Sequence, residues 1–219
     1  MYKFEPHAHT SESSRCSNLM AREIVEMYHD AGFSGIAITD HMHSNMVKRF
    51  SNDWNRAVDN FLRGYKKAKE RGEALGLSVI LGMEIRFDSG YGDYLVYGID
   101  EEFLLSNPFL PKLGIRKFFN RFKQELLIIQ AHPFRENDKV HDRLIHGLEV
   151  YNGNPRHSNR NKKAMALYEA KPRLLPFCAS DAHEIEDIAG GWLELSKPVS
   201  DSFQFRDLVL QREYQLGKE

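Results

Sequence analysis

Six short apolar runs recur along this chain, and most are separated by stretches whose apolar residues return at helical spacing. The runs are 35–39, 77–81, 94–99, 126–130, 147–151 and 174–178, each with the length and composition of a buried strand. Between them, Met20, Ile24, Met27 and Ala31 recur on one face before Gly32, and Trp54, Val58, Phe61, Leu62 and Tyr65 recur on the next. The segments around 115–122, 161–170 and 203–216 also read as helices. Repeated strand–helix alternation gives an α/β class with a mainly parallel sheet, either open or closed into a barrel. The stretch 107–112, Asn-Pro-Phe-Leu-Pro-Lys, is the clearest loop, and it reads as a connection within a domain. With 219 residues and no repeat or linker, one domain spanning 1–219 is expected.

Charge narrows the partners. Thirty Lys and Arg balance 31 Asp and Glu, and the basic series Arg63, Lys66, Lys67, Lys69, Arg71 sits at the spacing of a solvated helix face. A nucleic-acid surface is therefore not expected. The only cysteines are Cys16 and Cys178, which speaks against a disulfide framework and for a reducing compartment. No apolar run approaches the roughly 18 residues of a membrane span. A soluble cytoplasmic protein is the expectation.

The chemistry gathers at the ends of the strands. His7 and His9 are two positions apart, so on an extended segment both imidazoles leave the same face. His-X-His alone is a weak signal, because two hydrogen-bonded histidines give the same letters. Later runs add to it: 36–39 leads into Asp40-His41, 79–83 into Glu84, 127–131 into His132, and 175–180 into Asp181-Ala182-His183. In a parallel α/β barrel the carboxyl ends of the strands share one face. Each residue has an ordinary alternative, such as Asp40 capping a helix or Glu84 pairing with Arg86, but those alternatives require a coincidence at every strand. Imidazoles and carboxylates in this number suit two or three divalent transition-metal ions, with zinc, manganese and iron all compatible.

Taken in order, His-Ala-His-Thr, Ile-Thr-Asp-His, Gly-Met-Glu, Ala-His-Pro-Phe-Arg and Ser-Asp-Ala-His resemble the PHP family, named for polymerase and histidinol phosphatase. The resemblance covers residues 7–183. It implies a distorted, TIM-barrel-like (β/α)7 barrel with metals at the carboxyl ends of the strands, and metal-dependent phosphoester hydrolysis. It further implies His7, His9, Glu84 and Asp181 at a first ion, with Glu84 bridging to a second ion held by His132. His41 and His183 are implied at a third, with Asp40 orienting an imidazole.

Two departures from the family pattern stand out. A third-site ligand is expected after His-X-His-Thr, where this chain has Ser11-Glu12-Ser13-Ser14-Arg15-Cys16. Arg15 cannot ligate a cation; it either grips a substrate phosphate or is a surface arginine, so that either Glu12 or Cys16 substitutes or the third site is weak or empty. The second site lacks its further His or Cys, and strand 147–152 offers Glu149 or Asn152, of which Asn152 is the assignment made here. Arg135 is placed to neutralise a phosphoryl group, and His183 or His41 to protonate the leaving alcohol. The expected substrate is a small phosphomonoester of the histidinol phosphate or nucleotide and nucleoside bisphosphate type. The alternatives are a metal-dependent hydrolase of amides or cyclic substrates, and a degenerate metal-binding regulatory module.

Overall fold

The computed structural model describes residues 1–90, 92–135 and 139–218. All six apolar runs form strands. In chain order the elements are β1 (Tyr2–Ala8), α1 (Ala21–Asp30), β2 (Gly35–Ile38), β3 (His41–Met42), α2 (Ser44–Lys48), α3 (Trp54–Leu75), β4 (Ser78–Leu81), β5 (Met83–Arg86), β6 (Asp93–Tyr97), α4 (Glu101–Ser106), α5 (Gly114–Phe122), β7 (Leu127–Gln130), β8 (Gly147–Asn152), α6 (Asn161–Ala170), β9 (Leu175–Ala179), β10 (Trp192–Leu195), α7 (Ser202–Leu210) and β11 (Tyr214–Gly217). The Pro-rich connection contains a 3-10 turn, Leu110–Lys112. Among the described residues no helix is long and apolar enough to cross a membrane.

The helix expected over 203–216 stops at Leu210. Arg212 turns the chain with φ +58°, and Tyr214–Gly217 pairs antiparallel with β10 instead.

The strands do not join into one closed sheet. They form a five-stranded ladder, β11-β10-β1-β2-β4, and a six-stranded ladder, β3-β5-β6-β7-β8-β9. The chain runs directly from β2 into β3 and from β4 into β5, so the two ladders share these two paths. Gly82 marks the second handover, where a Cβ would lie 2.7 Å from Thr39 Cγ2. At the far side, the end of β1 meets the segment after β9 through the isolated parallel bridge Ala8–Ala182, and His9 N donates to Ala182 O at 3.0 Å.

The pairing is also less parallel than the alternation suggests. β6 lies antiparallel to both β5 and β7. The segment between β5 and β6 has no helix to carry a crossover, so the chain folds back instead. This reversal puts the start of β6, rather than its end, beside the carboxyl ends of β5 and β7. Asp93 is the first residue of β6 and pairs in register with Arg86.

Period-two alternation divides the core. Ala37, Ile80, Leu95, Tyr97, Leu127 and Ile129 pack into one cluster with Phe205, Leu208 and Val209 of α7, while Ile36, Val79, Val96 and Ile128 face the other helices. Phe205 stacks on Phe4 at 4.9 Å, closing the apolar side. α3 presses on the opposite region through Gly64, where a Cβ would meet Thr10 Oγ1 at 1.9 Å.

Candidate metal centre

The strand ends bring His7, His9, His41, Glu84, His132, Asp181 and His183 together, most of them fully or nearly fully buried. Three groups of side chains each have ligand atoms within 4.8 Å of one another: His7, His9 and Asp181; His9, His41 and His183; and Glu84, Asp93 and His132.

Glu84 sits between them. Its Oε1 lies 3.0 Å from His132 Nε2, while its Oε2 lies 3.0 Å from His41 Nδ1, 3.2 Å from His9 Nε2 and 3.4 Å from His7 Nε2. Among the described residues, Oε2 is the buried side-chain oxygen left without a hydrogen bond. His7 Nε2 and His9 Nε2 also face each other at 3.0 Å. A buried carboxylate oxygen ringed by nitrogens, with no donor properly aimed at it, fits a cation-binding cavity.

The charge balance agrees. Burial disfavours the protonated form of His7, yet Asp181, Glu149 and Glu84 outweigh it and raise its pKa well above the ordinary value. Burial likewise opposes ionisation of Glu84 and Asp181, yet His41 and His7 beside the first, and His7 and Arg135 beside the second, hold both well below the usual carboxylate range. The pocket therefore has an excess of negative charge that imidazole protons offset. A divalent ion can take their place.

His183 behaves differently. Burial first, then the nearby His9, push it down to about 3, and its Nδ1 lies 2.9 Å from Asp181 O. A ring whose Nδ1–H donates to a carbonyl presents Nε2 to a ligand.

Asp93 was missed in the sequence. A search of strand ends passes over it because β6 runs in reverse. Its two oxygens accept from Arg86 Nε and Nη2 at 2.6 and 2.5 Å, and His132 Nε2 stands 3.9 Å away.

Asn152, the residue expected at the second ion, is hydrogen-bonded to Glu149, Asp181 and Arg135. Its amide nitrogen donates to Glu149 and Asp181, and its oxygen accepts from Arg135 Nη2 at 3.0 Å and Asn154 N at 3.1 Å. Its oxygen is thus engaged twice. Glu149, the other candidate, contacts His7 Nδ1 at 2.7 Å and accepts from His132 N at 2.7 Å, so it stands behind the imidazoles.

Asp40 reaches His9 through an intermediary. It accepts from Thr10 and from Ser14 Oγ, and Ser14 Oγ lies 3.4 Å from His9 Nδ1. Glu12 is turned away, pairing with Lys67 and accepting from Ala21 N at the start of α1. Cys16 is exposed; Glu84 first, and Cys16 after it, raise the pKa of His41 against the effect of burial. Arg15 is exposed, and among the described residues it has no hydrogen bond or ion pair; its charge, after burial, lowers the pKa of Arg49. Nothing ties Arg15 to the cluster. Arg135, in contrast, is tied into it, with Nη2 2.6 Å from Asp181 Oδ2 and Nε 2.8 Å from Asn159 Oδ1.

Two of these residues sit in the left-handed region, His132 at φ +26° and Asp181 at φ +56°. Such conformations cost about 1–3 kcal/mol each and persist where surrounding contacts hold them. Here Asp187 accepts from His183 N at 2.9 Å, Glu184 N at 3.0 Å and Arg156 Nη2 at 2.7 Å, while Asn154 donates to Asp181 O at 3.0 Å. Ser17 Oγ contacts both His9 O and His183 O, joining the first and last segments of the site.

The PHP domain model matches residues 5–188. The chain belongs to the PHP domain family. Solved structures share the fold of this PHP domain. A two-domain protein from Bacteroides vulgatus ATCC 8482, containing a predicted PHP-like metal-dependent phosphoesterase, superposes with a TM-score of 0.66 at 16% identity; the match covers 100% of this chain but 65% of that one. A protein from Bifidobacterium adolescentis ATCC 15703, provisionally named a metal-dependent phosphoesterase, gives 0.56 at 18% identity, covering 95% of this chain and 96% of the other. An amidohydrolase from Chromobacterium violaceum, with bound sulfate and no metal, gives 0.58 at 14% identity, covering 97% of each. Comparison with curated proteins finds no match.

Proposed function

We propose that this PHP domain is a metal-dependent phosphoesterase acting on a small phosphomonoester of the histidinol phosphate or nucleotide and nucleoside bisphosphate type. The observation that carries the reading is Glu84, one buried carboxylate with its two oxygens divided between different groups of imidazoles. His7, His9, Glu84 and Asp181 would hold one ion, Glu84, Asp93 and His132 a second, and His41 and His183 with His9 a third. Zinc, manganese and iron all suit such donors. When bound, divalent ions supply a water of lowered pKa and neutralise phosphoryl oxygens.

The chain's own groups do the rest. Glu149 keeps the proton of His7 on Nδ1 and its Nε2 directed inward. Arg135 supplies the fixed positive charge for a phosphoryl group. Beside His41 a cavity of about 510 Å³, lined by His43, Ser44, Asn45, Arg86 and Asp88, gives space for the alcohol half of an ester. We further read the two ladders as one distorted seven-stranded barrel with a single domain over 1–219, acting in the cytoplasm on a small phosphorylated substrate rather than at a membrane.

A second reading keeps the metals and changes the bond, since the Chromobacterium protein is named an amidohydrolase. Metal-loaded protein assayed on p-nitrophenyl phosphate and on a panel of amides separates the two. Hydrolysis of the phosphate ester, lost with Glu84→Ala together with bound metal, supports the phosphoesterase; amide hydrolysis without it overturns this reading.

A further inference from the structure

The cavity beside His41 is edged by positive charge that the metal centre does not use. Arg15 and Arg49 supply it. Ser17 N donates to Ser14 O at 3.1 Å, which closes a turn with Arg15 and Cys16 at its corner. Ser14 Oγ accepts from His41 N at 3.0 Å, so this turn sits directly against the segment that carries His41. Arg49 ends α2. It follows Asn45 by one helical turn, with its N–H bonded to Asn45 O, and so shares the helix face on which Asn45 lines the cavity.

Both side chains are exposed, and among the described residues neither forms a hydrogen bond or ion pair. After burial, Arg15 lowers the pKa of Arg49; after burial and His41, Arg49 and Arg86 lower that of His43, which lines the same cavity. These charges act on one space. The carboxylates facing it are Asp88, which accepts from Ser44 Oγ at 2.8 Å, and Asp93, whose two oxygens are held by Arg86. Glu12, on the loop of Arg15, is drawn off to Lys67. From 42 to 52 the chain has Lys48 and Arg49 and no carboxylate at all. Two guanidinium groups brought together without a counter-charge raise each other's energy, and an anion between them removes that cost. Their planar donors match phosphate and carboxylate oxygens.

We propose that Arg15 and Arg49 form a second anion subsite, which selects esters whose alcohol half carries its own phosphate or carboxylate. This rests on the phosphoesterase reading above and narrows it. The ester phosphate lies at the Glu84 cluster, the alcohol half fills the cavity beside His41, and its far anion meets the two arginines. An alcohol half bearing an amine, as in histidinol phosphate, is disfavoured by the same charges.

The test uses the full metal-loaded chain and a set of phenyl phosphates with closely similar leaving groups, bearing hydroxymethyl, aminomethyl, carboxymethyl or phosphonomethyl at the para position. The kcat/KM is expected to be at least about tenfold higher with an anionic end than with hydroxymethyl, and lower with aminomethyl than with hydroxymethyl. The carboxymethyl and phosphonomethyl esters tell which anion the arginines prefer. In the double variant Arg15→Gln, Arg49→Gln the ratio of anionic to hydroxymethyl ester should fall to about one. Because it is a ratio, it is insensitive to any loss of folded or metal-loaded protein. Arg49→Glu alone should move the preference toward the aminomethyl ester, and serves if the double variant does not fold. A ratio near one in the native chain, or a preference unchanged in these variants, overturns the second subsite alone. Hydrolysis of none of the esters overturns the phosphoesterase reading and this inference with it.

Discussion

His7 Nδ1 lies 2.7 Å from Glu149 Oε1, and neither side chain is exposed to solvent. The contact sets which ring nitrogen of His7 faces the other ligands, and the same carboxylate also receives the backbone N–H of His132. Glu149→Gln removes the charge while preserving size. Metal affinity is expected to fall about 10–100-fold, read by titration calorimetry, with the circular dichroism spectrum unchanged.

Arg135 is bound to Asp181 rather than free in the pocket. Arg135→Met should lower kcat/KM on p-nitrophenyl phosphate by about 10²–10³-fold, the usual loss when a fixed transition-state donor is removed. Bound metal, measured by elemental analysis, should not fall. A parallel loss of metal would show that Arg135 acts by positioning Asp181.

Asp187 is buried and receives Arg156 and two backbone N–H groups from the turn after Asp181. Asp187→Ala leaves these donors without their acceptor in the turn that follows left-handed Asp181. A loss of about 2–4 kcal/mol is expected in urea denaturation of the metal-free protein, with Asp187→Asn falling between it and the native chain.

Glu5 lies under the site, accepting from His7 N, Ser180 N and the Tyr28 hydroxyl, and burial raises its pKa to about 7. A carboxyl that holds its proton more tightly when folded stabilises the fold at low pH relative to high pH. The contribution is complete below about 4.5 and is lost as pH rises through about 7. Relative to Glu5→Gln, the metal-free native protein should lose about 3 kcal/mol between pH 4.5 and 8. Thermal or urea melts of both proteins across that range check it; parallel curves would rule out a raised Glu5.

Much of this was legible in the sequence because the strand runs and the ordered motifs carry independent signals. Six runs became strands, and the residues at their ends converged around Glu84. What the sequence hid depends on direction and contact. Asp93 opens its strand, and only the antiparallel placement of β6 brings it to the same face. Asn152 ends its strand, yet its amide is hydrogen-bonded to Glu149, Asp181 and Arg135. The end of the helix expected over 203–216 was hidden too, because β11 owes its form to pairing with β10. Local composition could not decide between helix and strand there.

The hydroxyl of Ser17 touches the carbonyls of both His9 and His183, residues that lie near opposite ends of the described chain. During synthesis, His7 and His9 leave the ribosome long before Asp181 and His183. A nascent chain can therefore expose a partial chelator, but it cannot assemble the centre until residue 183 has emerged.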